Sequence, residues 1–308
     1  MSQVAGMDAG RGRGAQARRI LSWATNPWAR ARFLWLIALG YVAWTLLPVG
    51  IAVAFSFNAG KSQTAWQGFS LTRWYLSDVS SVWQDETLRS ALLQSVKLSA
   101  MTVLIAVPFG VAFGLALDRW RTKTATGANL LMMFSFVTPE IAIGVALFLY
   151  FTQLFTAVGL GFKAQLFGLS MFEMAYPMII VQARLLSIGR QYEEAAQDLG
   201  ASRTQVLRRV LLPLLSPAIV ASVAIVFATS IDNFVLSQRL SIGASTQTVP
   251  ILIYASARTA PLPSLNALAT ITLLLSTTLI LVAVLVFRRA SRAERRAVAD
   301  TRGVGLPI

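Results

Sequence analysis

The chain of 308 residues contains no cysteine and no histidine, and 13 acidic residues stand against 27 basic ones. Without cysteine there is neither a disulfide framework nor a thiolate metal site. Without histidine the commonest metal ligand and the usual proton shuttle near neutral pH are missing, so catalysis would rest on carboxylates, Lys, Ser or Tyr alone. Charge is scarce as a whole: 13% of the residues are charged and 56% are hydrophobic. That is about half the charged share of an ordinary soluble domain, which excludes disorder and disfavours a single soluble globule. The net charge of +14 is not gathered into one surface patch of the kind that binds nucleic acid, because the basic residues fall between long apolar runs. That distribution points to a membrane.

A bilayer core about 30 Å thick takes roughly 20 mostly apolar helical residues to cross. Six such runs are expected, near Phe33 to Phe57, Leu92 to Leu117, Asn129 to Phe155, Leu169 to Leu186, Leu214 to Leu236 and Leu265 to Phe287. The fourth is the weakest, being short, broken by Pro177 and diluted by Glu173 and Tyr176, and a re-entrant or interfacial segment is its alternative reading. Lys and Arg collect on the cytoplasmic side of a membrane protein. Counting the two tails, Arg119 to Lys123 and Arg184 to Arg209 together gives 20 basic residues against 6 in the opposite loops, with Lys97 left inside the second span. Both termini are therefore expected to be cytoplasmic.

Residues 1–32 are rich in Gly, Ala and Arg without an apolar period and read as a flexible basic tail able to touch anionic lipid heads. Residues 33–287 form the membrane domain, and 288–308 a second basic tail. The first apolar run is too long for a cleavable signal. Weak internal repetition argues against a secondary transporter built from two related halves. Trp66, Trp74, Tyr75 and Trp83 between the first two spans read as an interfacial aromatic belt, while Pro108, Gly110 and Gly114 allow a bend and close helix approach. Gly60-Lys61-Ser62 is a poor phosphate-binding loop, because Phe55 stands where its first Gly should be.

The loop from Ser187 to Pro213 has its own helical chemistry. A short helix is predicted from about Arg190 to Leu199, with Glu193 and Glu194 in its opening turn and Gly200 at a left-handed cap. Ala195 and Ala196 are small enough for close docking. Ser202 and Gln205 form a capping-box pattern that opens a second helix, which Pro213 is expected to stop. The result is a helix-Gly-helix elbow.

In these residues the chain resembles the inner-membrane permease subunits of binding-protein-dependent ABC importers. Their EAA loop runs Glu-Ala-Ala, three residues, Gly, nine residues, Ile, any residue, Leu-Pro; Glu194-Ala195-Ala196, Gly200 and Leu212-Pro213 match, with Val210 in place of Ile. Thr229 to Ser237, Val249 to Tyr254, Asn266 to Thr270 and Pro139-Glu140-Ile141 resemble the spermidine/putrescine branch, although Asn233 replaces the second of two adjacent acids beside Asp232. The likeness covers about Leu92 to Phe287.

The resemblance implies an all-α integral membrane protein of six transmembrane helices with the type I ABC importer permease fold, in a bacterial inner membrane. The first span would lie outside a core of spans two to six and pack on the partner permease. The elbow would seat in a separate dimeric ATPase that hydrolyses the ATP, leaving this chain without a cofactor of its own. The other implied partners are a second permease subunit, most simply a different homologous chain, and a periplasmic or lipid-anchored solute-binding protein. Glu140, near mid-depth, with Glu173 and Asp232 nearer the outer face, would line a pathway attractive to a cationic polyamine, Asn233 beside them. In the alternative, Glu140 merely caps a helix broken at Pro139 and the outer acids are solvated. Another small amine-bearing solute, such as an opine or aminophosphonate, is the runner-up cargo. An ion-coupled carrier is a rival class that the elbow argues against, and a membrane enzyme lacks any recognisable nucleophile, base and orienting group.

Overall fold

The computed structural model describes residues 31–303 apart from 63, 120–125, 128, 129, 133, 135, 136, 260 and 261. Most of the expected amino-terminal tail, and the basic residues Arg121 and Lys123, thus lie outside the described residues. The chain divides into two compact units, residues 1–54 and 55–308. The described part of the first is helix α1, Ala31–Ser56, which runs on into the second unit. It is apolar all round, and the side chains of Trp35, Leu36, Tyr41 and Trp44 are exposed, the pattern of a helix solvated by lipid.

Among the described residues the second unit is helical apart from one antiparallel bridge between Asn58 and Phe69. Its helices are α2 (Glu86–Arg119), α3 (Glu140–Leu149), α4 (Phe162–Glu173), α5 (Ala175–Ile188), α6 (Gln191–Asp198), α7 (Arg203–Val206), α8 (Leu212–Ile231), α9 (Val235–Leu240), α10 (Val249–Thr259) and α11 (Ser264–Gly303). Five stretches are long and apolar enough to cross a membrane: Leu34–Ser56, Glu86–Arg119, Phe162–Ile188, Arg203–Ile231 and Ser264–Arg289.

The breaks and joins that depart from the expected runs have backbone causes. The third is interrupted at Pro139, which sits in an extended conformation (φ −56°, ψ 127°) and lacks the N–H that would continue a helix, so α3 starts at Glu140 and ends in a π turn at Tyr150–Leu154. That leaves Glu140–Leu154 as a shorter apolar helix. The fourth run is longer than expected, begins at Phe162, and is the most buried of the five, which is not the behaviour of an interfacial segment. Its break falls at Met174, and Pro177 sits in the first turn of α5, where a missing N–H costs little. Pro213 does not stop a helix. A π turn at Leu207–Leu211 joins α7 to α8, and in it the Leu212 N–H reaches back to the Leu207 carbonyl, so the chain remains helical from Arg203 to Ile231. The sixth helix continues past Phe287 into the expected tail, to Gly303.

Helix α8 packs against α2, α5 and α11, making it the hub of the unit. One apolar cluster joins Val107 and Val111 of α2, Val181 and Leu185 of α5, and Leu215 and Val226 of α8. The close approach of α2 to α5 rests on small residues: a β-carbon on Gly110 would lie 2.5 Å from the Met174 carbonyl oxygen, and one on Gly114 3.0 Å from that of Met178. A second cluster joins Leu88 and Leu92 of α2 to Leu252 of α10 and Leu268 of α11, and Trp74 belongs to it. Trp74 is only 2% exposed and its indole N–H donates to the Asn58 carbonyl at 2.6 Å, while the Tyr75 hydroxyl lies 2.9 Å from Ser56 Oγ. Only Trp66 and Trp83 are exposed as an aromatic belt requires. The Gly60-Lys61-Ser62 segment is wound round the buried Asn58 side chain, which donates to the carbonyls of Ser62 and Ala65 and accepts from the N–H of Gly60 and Gln67.

Candidate functional site

Two places combine polar chemistry with irregular backbone. The first is the elbow. Helix α6 ends in a full Schellman motif: Gly200 has φ +82°, its N–H donates to the Gln197 carbonyl at 2.8 Å, and the Ala201 N–H donates to the Ala196 carbonyl at 3.0 Å. Two residues on, the Ser202 hydroxyl accepts from the Gln205 N–H and the Gln205 side chain accepts from the Ser202 N–H, a capping box that starts α7. Both halves of the turn are therefore satisfied by neighbours in sequence.

The side chains named by the motif divide into two sets. Glu194, Ala195, Gly200 and Pro213 are exposed, and Ala196, Val210 and Leu212 are half-buried. Leu199, at the tip, is 90% exposed, and Tyr192 is exposed beside it. Glu193 instead turns inward, is buried, and forms an ion pair with Arg119 at the end of α2. The elbow is fixed by Val206, Leu211 and Leu215, buried residues on the other face of α7, the π turn and α8.

The second place lies where α3, α4, α8 and α9 meet. Helix α8 ends at Ile231, and Asp232 and Asn233 form the link to α9. The Asn233 side chain serves both neighbours: its Oδ1 accepts from the N–H groups of Leu236 and Ser237 at 3.2 and 3.3 Å, capping α9, and its Nδ2 donates to Glu140 Oε1. Glu173 is 1% exposed, and its Oε2 accepts from the Thr229 hydroxyl at 2.6 Å. Glu140 lies within electrostatic reach of Glu173. Asp232 is exposed. Phe234 and Tyr254 flank the link with ring centroids 4.8 Å apart, and the Arg258 guanidinium lies over the Tyr254 ring. Glu140 thus stands in the first turn of a helix without making a side-chain cap bond there, and is instead joined to Asn233. No group of three or more potential metal ligands occurs among the described residues.

Sequence reading passes over three residues that hold these two places together. Thr229 partners Glu173 across 56 residues of chain. Gln165 is completely buried and donates to the carbonyls of Ser237 and Thr246 at 2.9 and 3.0 Å, joining α4 to α9 and the turn beyond it. Arg119 holds Glu193. For Gln165 a signal existed, since an amide inside an apolar run must find partners. Lys97, left inside the second span by the sequence, lies exposed on α2 with its ammonium 4.7 Å from the centroid of the Phe162 ring.

Residues 106–296 match the family described as the binding-protein-dependent transport system inner membrane component. The chain is 31% identical over 247 residues to the spermidine/putrescine transport system permease protein PotC of Haemophilus influenzae, covering 80% of this chain and 93% of that one. It is 30% identical over 273 residues to the putrescine transport system permease protein PotI of Escherichia coli, covering 86% and 94%. Among solved structures it superposes on a chain of a bacterial ABC transporter involved in alginate import, with TM-score 0.65 at 18% identity, covering 84% of this chain and 96% of that one. The MetNI methionine ABC transporter gives TM-score 0.55 at 17% identity, covering 66% and 95%. These two likenesses speak to the fold alone.

Proposed function

Because the chain belongs to the family of binding-protein-dependent transport system inner membrane components, we propose that it forms the membrane pathway of an ABC importer for a polyamine such as spermidine or putrescine. One observation carries the cargo. In a chain matching relatives named for these two solutes over most of its length, Glu140 and Glu173 come within electrostatic reach of each other beside Asn233, with Asp232 exposed on the same link. A polyamine carries ammonium groups spaced along apolar methylenes, and carboxylates set in an apolar helix bundle complement both parts. Asn233, where the branch has a second acid, leaves one charge fewer and favours the second reading, a small amine-bearing solute such as an opine or aminophosphonate.

The chain crosses the membrane six times with both termini in the cytoplasm, the third crossing including Glu140–Leu154, and it carries no ATP-hydrolysing site itself. Residues 92–287 are its core and 187–213 its coupling loop. The elbow docks on an ATPase dimer through Glu194, Ala195, Ala196 and the exposed tip at Leu199. A second permease completes the pathway, and a solute-binding protein delivers cargo from outside. ATP-driven closure of the ATPase moves the elbow, and α5 and α8, joined directly to it, rock with it.

The test is ATP-dependent uptake of labelled spermidine and putrescine into vesicles holding the assembled complex. Gly200→Asp is expected to abolish uptake and release the ATPase, and Asp232→Asn to reduce uptake with the ATPase retained. Uptake that persists without the ATPase would overturn the importer reading. A coupled complex that moves no polyamine would overturn the cargo only.

A further inference from the structure

The elbow is linked to the bundle by more than the chain connections at its two ends. Helix α6 rests on α7 and the following π turn. Towards α2 it faces a cavity of about 700 Å³, lined on one side by Ala112, Leu115 and Ala116 of α2 and on the other by Gln197, Val206 and Leu207. Two polar contacts cross that space. Arg119, the last residue of α2, pairs with the buried Glu193 of α6, and Arg190, just before α6, donates to the Asp118 carbonyl at 3.2 Å. Arg119 is steadied on its own side by Asp118, whose carboxylate lies 3.4 Å from it.

Across this space α6 meets α2 at few points, so little of its motion can pass to α2 through packed side chains of the two helices. A charge pair between a guanidinium and a mostly buried carboxylate can carry it, since separating the pair leaves Glu193 desolvated without a partner. We propose that Arg119 and Glu193 form an ionic strut that carries the motion of the elbow directly to the cytoplasmic end of α2, in addition to the packing by which α5 and α8 already hold that helix. The proposal rests on the reading of the elbow as the ATPase docking element. It assigns the two acids of that helix different tasks: Glu194 points outward to the partner, and Glu193 points inward and acts as a positioning residue for the membrane helices.

A double-mutant cycle in the reconstituted complex tests it, with Arg119→Gln, Glu193→Gln and the two combined, measuring ATPase retention, ATP hydrolysis and cargo moved per ATP. Each single variant is expected to retain the ATPase yet lower the cargo moved per ATP by about five- to tenfold, the scale of a typical coupling between sites. The combined variant is expected to be no worse than either single one, because the same link is already broken. Arg119→Lys, which keeps the charge, is expected to stay near the native ratio, showing that the loss does not come from general misfolding. Additive losses, unchanged coupling in both single variants, or release of the ATPase by Glu193→Gln alone would each overturn the strut. Failure of the elbow reading has a different signature, namely a Gly200→Asp complex that still binds its ATPase and transports.

Discussion

The two irregular places in this chain interrupt their helices by opposite means. At Gly200 the turn is held by bonds within a few residues, the Schellman bonds on one side and the capping box on the other. At the link of Asp232 and Asn233, and at the break after Glu173, local bonds are joined by distant ones: Asn233 accepts from Leu236 and Ser237 but also donates to Glu140, 93 residues away, and Glu173 accepts from Thr229, 56 away. A turn that satisfies itself keeps its shape when its surroundings move. A constellation assembled from α3, α4, α8 and α9 changes whenever those helices shift. The first suits a handle and the second suits a site whose affinity must alternate.

That contrast can be tested by the cost of breaking each kind of bond, read as the midpoint of thermal unfolding of the purified chain in detergent. Asn233→Leu is expected to be the most damaging, at about 2–4 kcal/mol, since it removes the cap of α9 and leaves Glu140 without its donor. Asn233→Asp keeps the cap but loses the donor and sets a second carboxylate against Glu140, so it is expected to cost about as much. Gly110→Ala follows at about 1–3 kcal/mol, because the new carbon meets the backbone oxygen of Met174 rather than a side chain that can turn away. Gly200→Val is expected to cost about 1–2 kcal/mol for a β-branched residue held at positive φ, and Gly200→Asn much less. Nothing lies within 4 Å of a β-carbon at Gly200, so conformation and not collision sets that cost. Ser202→Ala is the mildest, at about 1 kcal/mol for one helix cap. If Ser202→Ala unfolds the chain more readily than Asn233→Leu, the division into self-sufficient and assembled turns is wrong.

The same division explains what could be read from the residues alone. The elbow was legible almost to the residue, from the acids at the start of α6 through Gly200 to Ser202 and Gln205, because each of its bonds lies inside a short window of sequence. The apolar runs were legible too, except where a proline met an irregular backbone: Pro139 broke a span that the composition joined, and Pro213 was absorbed by a π turn where a stop was expected. The inward turn of Glu193 was not legible, since only the placement of Arg119 distinguishes it from the adjacent Glu194. Asn233 looked like a weakened acid pair. In the folded chain its amide donates to one partner while its oxygen accepts from two others, a combination no carboxylate could provide.

The π turn at Leu207–Leu211 acts as a phase keeper between the elbow and α8. It spends one more residue per turn than an α-helix, and each α-helical residue corresponds to about 100° of azimuth. Because the turn takes up its extra residue within about one revolution, removing a single residue there would let an unbroken α-helix form while leaving the bearing of the tip at Leu199 almost unchanged. The bearing of the elbow is thus buffered against a change of one residue between Val206 and Leu212, since the wide turn holds it in the register that an α-helix one residue shorter would give.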